Sequence, residues 1–153
     1  MSTSRPPIHP WRVIPASASP RRRQLLHGLD LPVEITSVEV DETPPEGMPV
    51  QEVAEHLARK KALAWTGDLA SDQVLITADT TVVLGEVLLN KPVDEADARR
   101  MLGLLAGRTH HVHTGVCLRH MRGMLSFTDV AAVSFRAMTE AEIGYYVELY
   151  RPL

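Results

Sequence analysis

The chain's order of short apolar runs and capped helical patterns predicts a mixed α/β fold, a twisted sheet with flanking helices and a cleft between lobes. Three observations carry that class. Short β-branched runs at Arg12-Val13-Ile14, Val74-Leu75-Ile76 and Val112 to Leu118 are interleaved with helical patterns at 49–66, 94–106 and 139–150. Two hairpin signals, Gly85-Glu86 and Met121-Arg122-Gly123, join successive strands, so the sheet is mixed and not purely parallel. Finally, 153 residues suffice for one domain with a substantial core.

Residues 1–10 are rich in proline and serine and read as a flexible tail, with the folded domain spanning 11–153. Arg12-Val13-Ile14 opens a strand that stops at Pro15. Ser19 before Pro20 is an N-cap with proline at the first helical position, and Gly28 is the matching stop. A strand, a small-residue loop (Ala16-Ser17-Ala18) and a helix start aim backbone N–H groups at one spot, which suits a phosphate; the same residues also read as an ordinary capped helix. Val33-Glu34-Ile35 alternates like a strand and leads to Glu39, Asp41 and Glu42, a metal-ligand group or a solvated loop.

Residues 49–66 form the clearest amphipathic helix, with Val50, Val53, Ala54, Leu57, Ala64 and Trp65 on its apolar stripe. Lys61 falls on that stripe too, so it either snorkels to the edge or meets an anion inside. Asp94 caps the next helix, Asp97 takes its capping-box position, and Gly107 ends it. In the strand 109–119, His111, His113 and Cys117 share one face; its histidines read as solvent-facing or substrate-edge groups ahead of zinc ligands. Leu125 to Arg136 is its hairpin partner, and Thr139-Glu140-Ala141-Glu142 is a capping box opening the last helix.

The chain is organised around residues 73–92, QVLITADTTVVLGEVLLNKP. There Asp79 stands between two apolar half-strands, and a buried carboxylate is costly unless it is paired or holds a cation. Alone it reads equally as a strand-end cap, and Lys91 as a solvated lysine. Composition narrows the classes. A net charge of −3 argues against a general nucleic-acid binder. The single cysteine, Cys117, rules out an intramolecular disulfide framework and fits a reducing cytoplasm. The first residues lack a signal-peptide core, and no run reaches membrane-spanning length, so no membrane partner is expected. A phosphate-binding P-loop motif is also absent.

The segments PASASPRRRQLL, EVDE, LARKKA, ITADTTVVLGEVLLNKP, MLGLLAGRTHHVHTGV and FRAMTEAEIGYYVELYRPL, in this order, resemble the Maf family of nucleoside triphosphate pyrophosphatases. The resemblance runs from Arg12 to Leu153, and S-P-R-R with A-D-T is similar to the branch that hydrolyses dTTP and UTP. It implies a Maf/inosine-triphosphatase-like fold with a nucleotide cleft, a homodimer, and a divalent cation, Mg²⁺ or Mn²⁺. It also assigns residues: Asp79 as the base that activates water; Arg21 and Thr80 as specificity positions; Ser17, Ser19, Arg22, Glu42, Lys61 and Lys91 as phosphate- and metal-handling positions, with Glu42 and Asp79 on the metal. Asn90 stands where many members have glycine, and the family's following D-K-A-G-A-Y-G-I-Q segment has no counterpart before Leu153, so the domain is expected to be C-terminally incomplete. Two alternatives remain open, a non-catalytic nucleotide-binding or cell-division regulatory protein and a purine pyrophosphatase of the inosine-triphosphate type.

Overall fold

The computed structural model of the protein describes residues 11–16, 36 and 38–150. The proposed flexible tail, the helix expected after Ser19 and the strand expected at Val33–Ile35 lie outside those residues. Among the described residues five strands form one sheet: β1 (Arg12–Pro15), β2 (Gln73–Leu84), β3 (Val87–Leu89), β4 (Thr109–His120) and β5 (Gly123–Ser134). Three described helices accompany it: α1 (Val53–Ala64), preceded by a 3₁₀ turn at Val50–Glu52, α2 (Glu95–Leu105) and α3 (Glu140–Tyr150). The strand order is β1-β2-β4-β5, with β3 also on β2. Among the described strands the β1–β2 pairing is parallel and the others antiparallel, and Ala16 adds an isolated parallel bridge to Thr36, so the sheet is mixed as expected.

Strand β2 is continuous through Asp79, where the alternating pattern suggested two half-strands. Its pairing with β4 supports it without a break, from Leu75 opposite Arg119 to Val83 opposite His111. The other edge of β2 is shared. β1 pairs with residues 73–76 and β3 with residues 82–84, so among the described strands residues 77–81 face a notch between the two short ones. Asp79 and Thr80 sit in that notch.

Helix α1 covers the inner face of the sheet through Val53, Ala54, Leu57, Ala58 and Ala62, all buried. Ala58 and Ala62 therefore replace Ala64, which is exposed, on the apolar stripe. Ala54, Ala58 and Ala62 recur every four residues and form a ridge with almost no side chain, which brings the helix backbone close to the sheet. At Gly115 the approach is closest: a Cβ there would lie 2.3 Å from the carbonyl carbon and oxygen of Ala54 and from the amide nitrogen of Glu55. Two side chains lock this docking. Thr77 Oγ1 donates to the carbonyl of Ala58, and Arg119 donates to the carbonyl of Ala62 at 2.7 Å.

The core beneath α1 joins Ile14, Ala16, Ala58, Ala62, Leu75 and Cys117. A smaller core of Ala98, Ile143 and Val147 holds α2 against α3. The two predicted caps that fall within the described residues both form. Asp94 accepts from the amide of Asp97, and Thr139 and Glu142 exchange reciprocal bonds of 3.1 and 3.2 Å. The histidine expectation is corrected. His113 faces α1 beside Gly115 and Cys117 and is buried, as is His110, while His111 alone of the three is exposed. Alternation along β4 placed His113 and Cys117 on one face correctly; that face is the covered one because α1 lies across it.

Candidate active site

A cavity of about 1150 Å³ opens at the notch in β2. Its wall includes Glu42 from the irregular segment after residue 38, Lys61 from α1, Asp79 and Thr80 from β2, and Lys91 after β3. Five residues predicted from sequence thus meet in one place. Ser17, Ser19, Arg21 and Arg22 lie outside the described residues, although Ala16, next to Ser17, lines the same cavity.

Lys61 is the hub. Its ammonium donates to Asp79 Oδ1 at 3.1 Å and to the carbonyl of Ala78 at 3.4 Å, and it pairs with Glu42 Oε1 at 3.4 Å. The Lys61 and Asp79 side chains are 12% and 14% exposed, whereas Glu42 is 60% exposed. Burial favours the pair only because each charge has a partner within reach. Of the two expected fates for Lys61, the fold selects the inner one, because the alanine ridge leans α1 over the notch. Lys60, one position on, turns outward and donates to the carbonyl of Asp41 at 2.6 Å. Asp41 is held below the usual carboxylate range by hydrogen bonds from Thr43. Lys91 is exposed and makes no ion pair among the described residues, which leaves its charge available to an anionic ligand.

Two carboxylates on one ammonium leave a residual negative charge, and both supply hard oxygen donors to the cavity wall. That is the donor set magnesium or manganese takes from protein when water and a substrate's phosphates complete the shell. Among the described residues, no group of three His, Cys, Asp or Glu side chains could hold a metal by itself. Glu42 and Asp79 therefore fit a shared cation, not a closed structural site.

Sequence reasoning missed two contributors. Gly115 pairs with Asp79 across the sheet, and with the alanine ridge it lets α1 approach the strand that carries that carboxylate. A glycine inside a strand pattern is the signal that could have found it. Thr81, two residues beyond Asp79 on the same inward face, also lines the cavity.

Sheet order and cleft define the class first: a mixed α/β protein carrying an acid–lysine centre at a gap in the sheet. In fold it is similar to the Staphylococcus aureus Ham1 protein, with a TM-score of 0.52 at 15% identity, over 80% of this chain and 71% of that one. The chain belongs to the Maf family: residues 12–153 match the family model described as Maf-like protein. Its relatives include proteins named dTTP/UTP pyrophosphatase. One from Phocaeicola vulgatus is 40% identical over 147 residues, covering 95% of this chain and 76% of that protein. Another, from Sphingopyxis alaskensis, is 47% identical over 134 residues, covering 86% and 70%. A third, from Porphyromonas gingivalis, is 41% identical over 145 residues, covering 93% and 73%.

Proposed function

We propose that this protein hydrolyses nucleoside triphosphates, dTTP and UTP foremost, to the monophosphate and pyrophosphate, clearing them from the nucleotide pool. One observation carries the reading: a largely buried carboxylate, Asp79, held by a lysine at the mouth of a cavity large enough for a nucleotide, with a second lysine on the rim. The names of the relatives support the same substrates for this chain.

In this mechanism, water attacks the α-phosphorus, the bond to the bridging oxygen of the β-phosphate breaks, and pyrophosphate leaves. Asp79 orients the water and accepts its proton. Lys61 holds the Asp79 side chain in its resting position and, with Lys91, neutralises charge building on the phosphates. A divalent cation held by Glu42 and Asp79, Mg²⁺ or Mn²⁺, would polarise the phosphate oxygens. On the strength of the family resemblance, Thr80, next to Asp79, and Arg21 are assigned to substrate selection, and Ser17, Ser19 and Arg22 to phosphate and metal handling. The proposal places the enzyme in the cytoplasm, in keeping with its lone, buried Cys117; no helix among the described residues is long and apolar enough to cross a membrane.

The test is pyrophosphate release from dTTP, UTP, CTP, GTP, ATP, ITP and 7-methyl-GTP with Mg²⁺ or Mn²⁺, beside Asp79→Asn. Turnover of dTTP and UTP that disappears in the variant supports the enzyme. Turnover of ITP alone points to the purine type. Binding without turnover by the folded protein would leave a regulatory nucleotide-binding role.

A further inference from the structure

Thr77 and Thr81 lie four residues apart on the inward face of β2, on either side of Asp79. Both are buried, but α1 satisfies only one. Thr77 Oγ1 donates to the carbonyl of Ala58, whereas Thr81 Oγ1 has no hydrogen-bond partner among the described residues. A buried hydroxyl left unpaired costs stability, and valine would fill the same space without that cost. Thr81 is 8% exposed, and it lines the same cavity as Asp79. The Thr81 oxygen is itself shielded in this structure, and a turn of the side chain about its Cα–Cβ bond would present it to the cavity.

The cavity lining mixes two chemistries. Glu39, Asp41, Glu42, Lys61, Asp79 and Lys91 supply charge, while Val53, Leu57, Leu88 and Leu89 supply apolar wall. Strand geometry separates Thr81 from Asp79 by about 7 Å along the same face. A ligand with an anionic end and a less polar end fits this mixture, and pockets of that kind fix orientation with a few placed polar groups. We propose that Thr81 Oγ1 is a substrate contact, hydrogen-bonded to an oxygen of the nucleoside half while the phosphates lie at the lysines. This rests on the pyrophosphatase reading and names a specificity residue within it.

Thr81→Val and Thr81→Ser separate the hydroxyl from the packing. For dTTP, Thr81→Val is expected to raise KM by about three- to tenfold with kcat within about twofold, the signature of a lost binding contact. Thr81→Ser is expected to keep the wild-type KM. Without ligand, Thr81→Val is expected to melt at the wild-type temperature or about 2–4 °C above it, since the unpaired group is gone; Thr81→Ala serves as a second truncation and should raise KM likewise. With 2′,3′-dideoxythymidine triphosphate, loss of the difference between wild type and Thr81→Val assigns the contact to the sugar 3′ oxygen, and its persistence assigns it to the base. An unchanged KM in Thr81→Val, an equal rise in Thr81→Ser, or a fall in kcat at constant KM would overturn the proposal. Wild-type protein silent on every nucleotide would instead defeat the pyrophosphatase reading beneath it.

Discussion

Lys61 links two carboxylates of unequal burial, and the inequality sets what each substitution does. Asp79→Asn keeps the shape of the side chain, and Lys61 retains Glu42 and the Ala78 carbonyl, so the melting temperature should stay within about 3 °C of wild type while turnover is lost. Lys61→Met is the opposite case. It strands the mostly buried Asp79 without its cation, and urea denaturation should register a loss of about 2 kcal/mol, alongside a fall of at least about 100-fold in kcat. His110 offers a pH test away from the site. Burial, and to a smaller extent the charge of neighbouring His111, pushes its imidazole below the ordinary 6.5. The folded protein therefore keeps His110 neutral where the unfolded chain already binds a proton, so its stabilisation is complete above 6.5 and is lost as pH falls below it. Melting temperature measured from about pH 7 to about pH 5 should fall less steeply in His110→Phe than in wild type.

At the scale of elements, the docking of α1 decides the site. Gly115→Ala would drive a methyl group into helix backbone atoms 2.3 Å away, and neither a peptide carbonyl nor an amide can rotate aside as a flexible side chain does. The substitution should cost about 3 kcal/mol or more, read by denaturant unfolding, and lower activity further by lifting Lys61 from Asp79. That helix was legible from its periodicity, and both capping boxes from their spacing, because such patterns are local. The register of α1 on the sheet was not. It depends on alanines at 54, 58 and 62 meeting a glycine on a strand more than fifty residues later, and no local pattern connects them.

For the molecule as a whole, β5 is the open side of the sheet. It pairs with β4 alone among the described strands and exposes Leu125 and Phe127 on one face and Val130 on the other. A homodimer, expected from the resemblance, would use such a surface, since an unpaired edge and a run of apolar side chains both favour association. Light scattering behind gel filtration should give twice the chain mass, and Phe127→Lys should shift it to the monomer; a monomeric wild type at high concentration would dismiss the dimer. The sequence by itself determined the class of fold, the capped helices, and the residue types gathered in A-D-T-T and N-K-P, because hydrophobic period, caps and turn chemistry act over a few residues. Only the tertiary structure decided that Asp79 lies in an unbroken strand, that Lys61 turns inward to meet it, and that His113 and Thr81 are covered. Those outcomes depend on which strands share the edge of β2 and how closely one helix lies across them, and such long-range packing leaves no trace in any single segment.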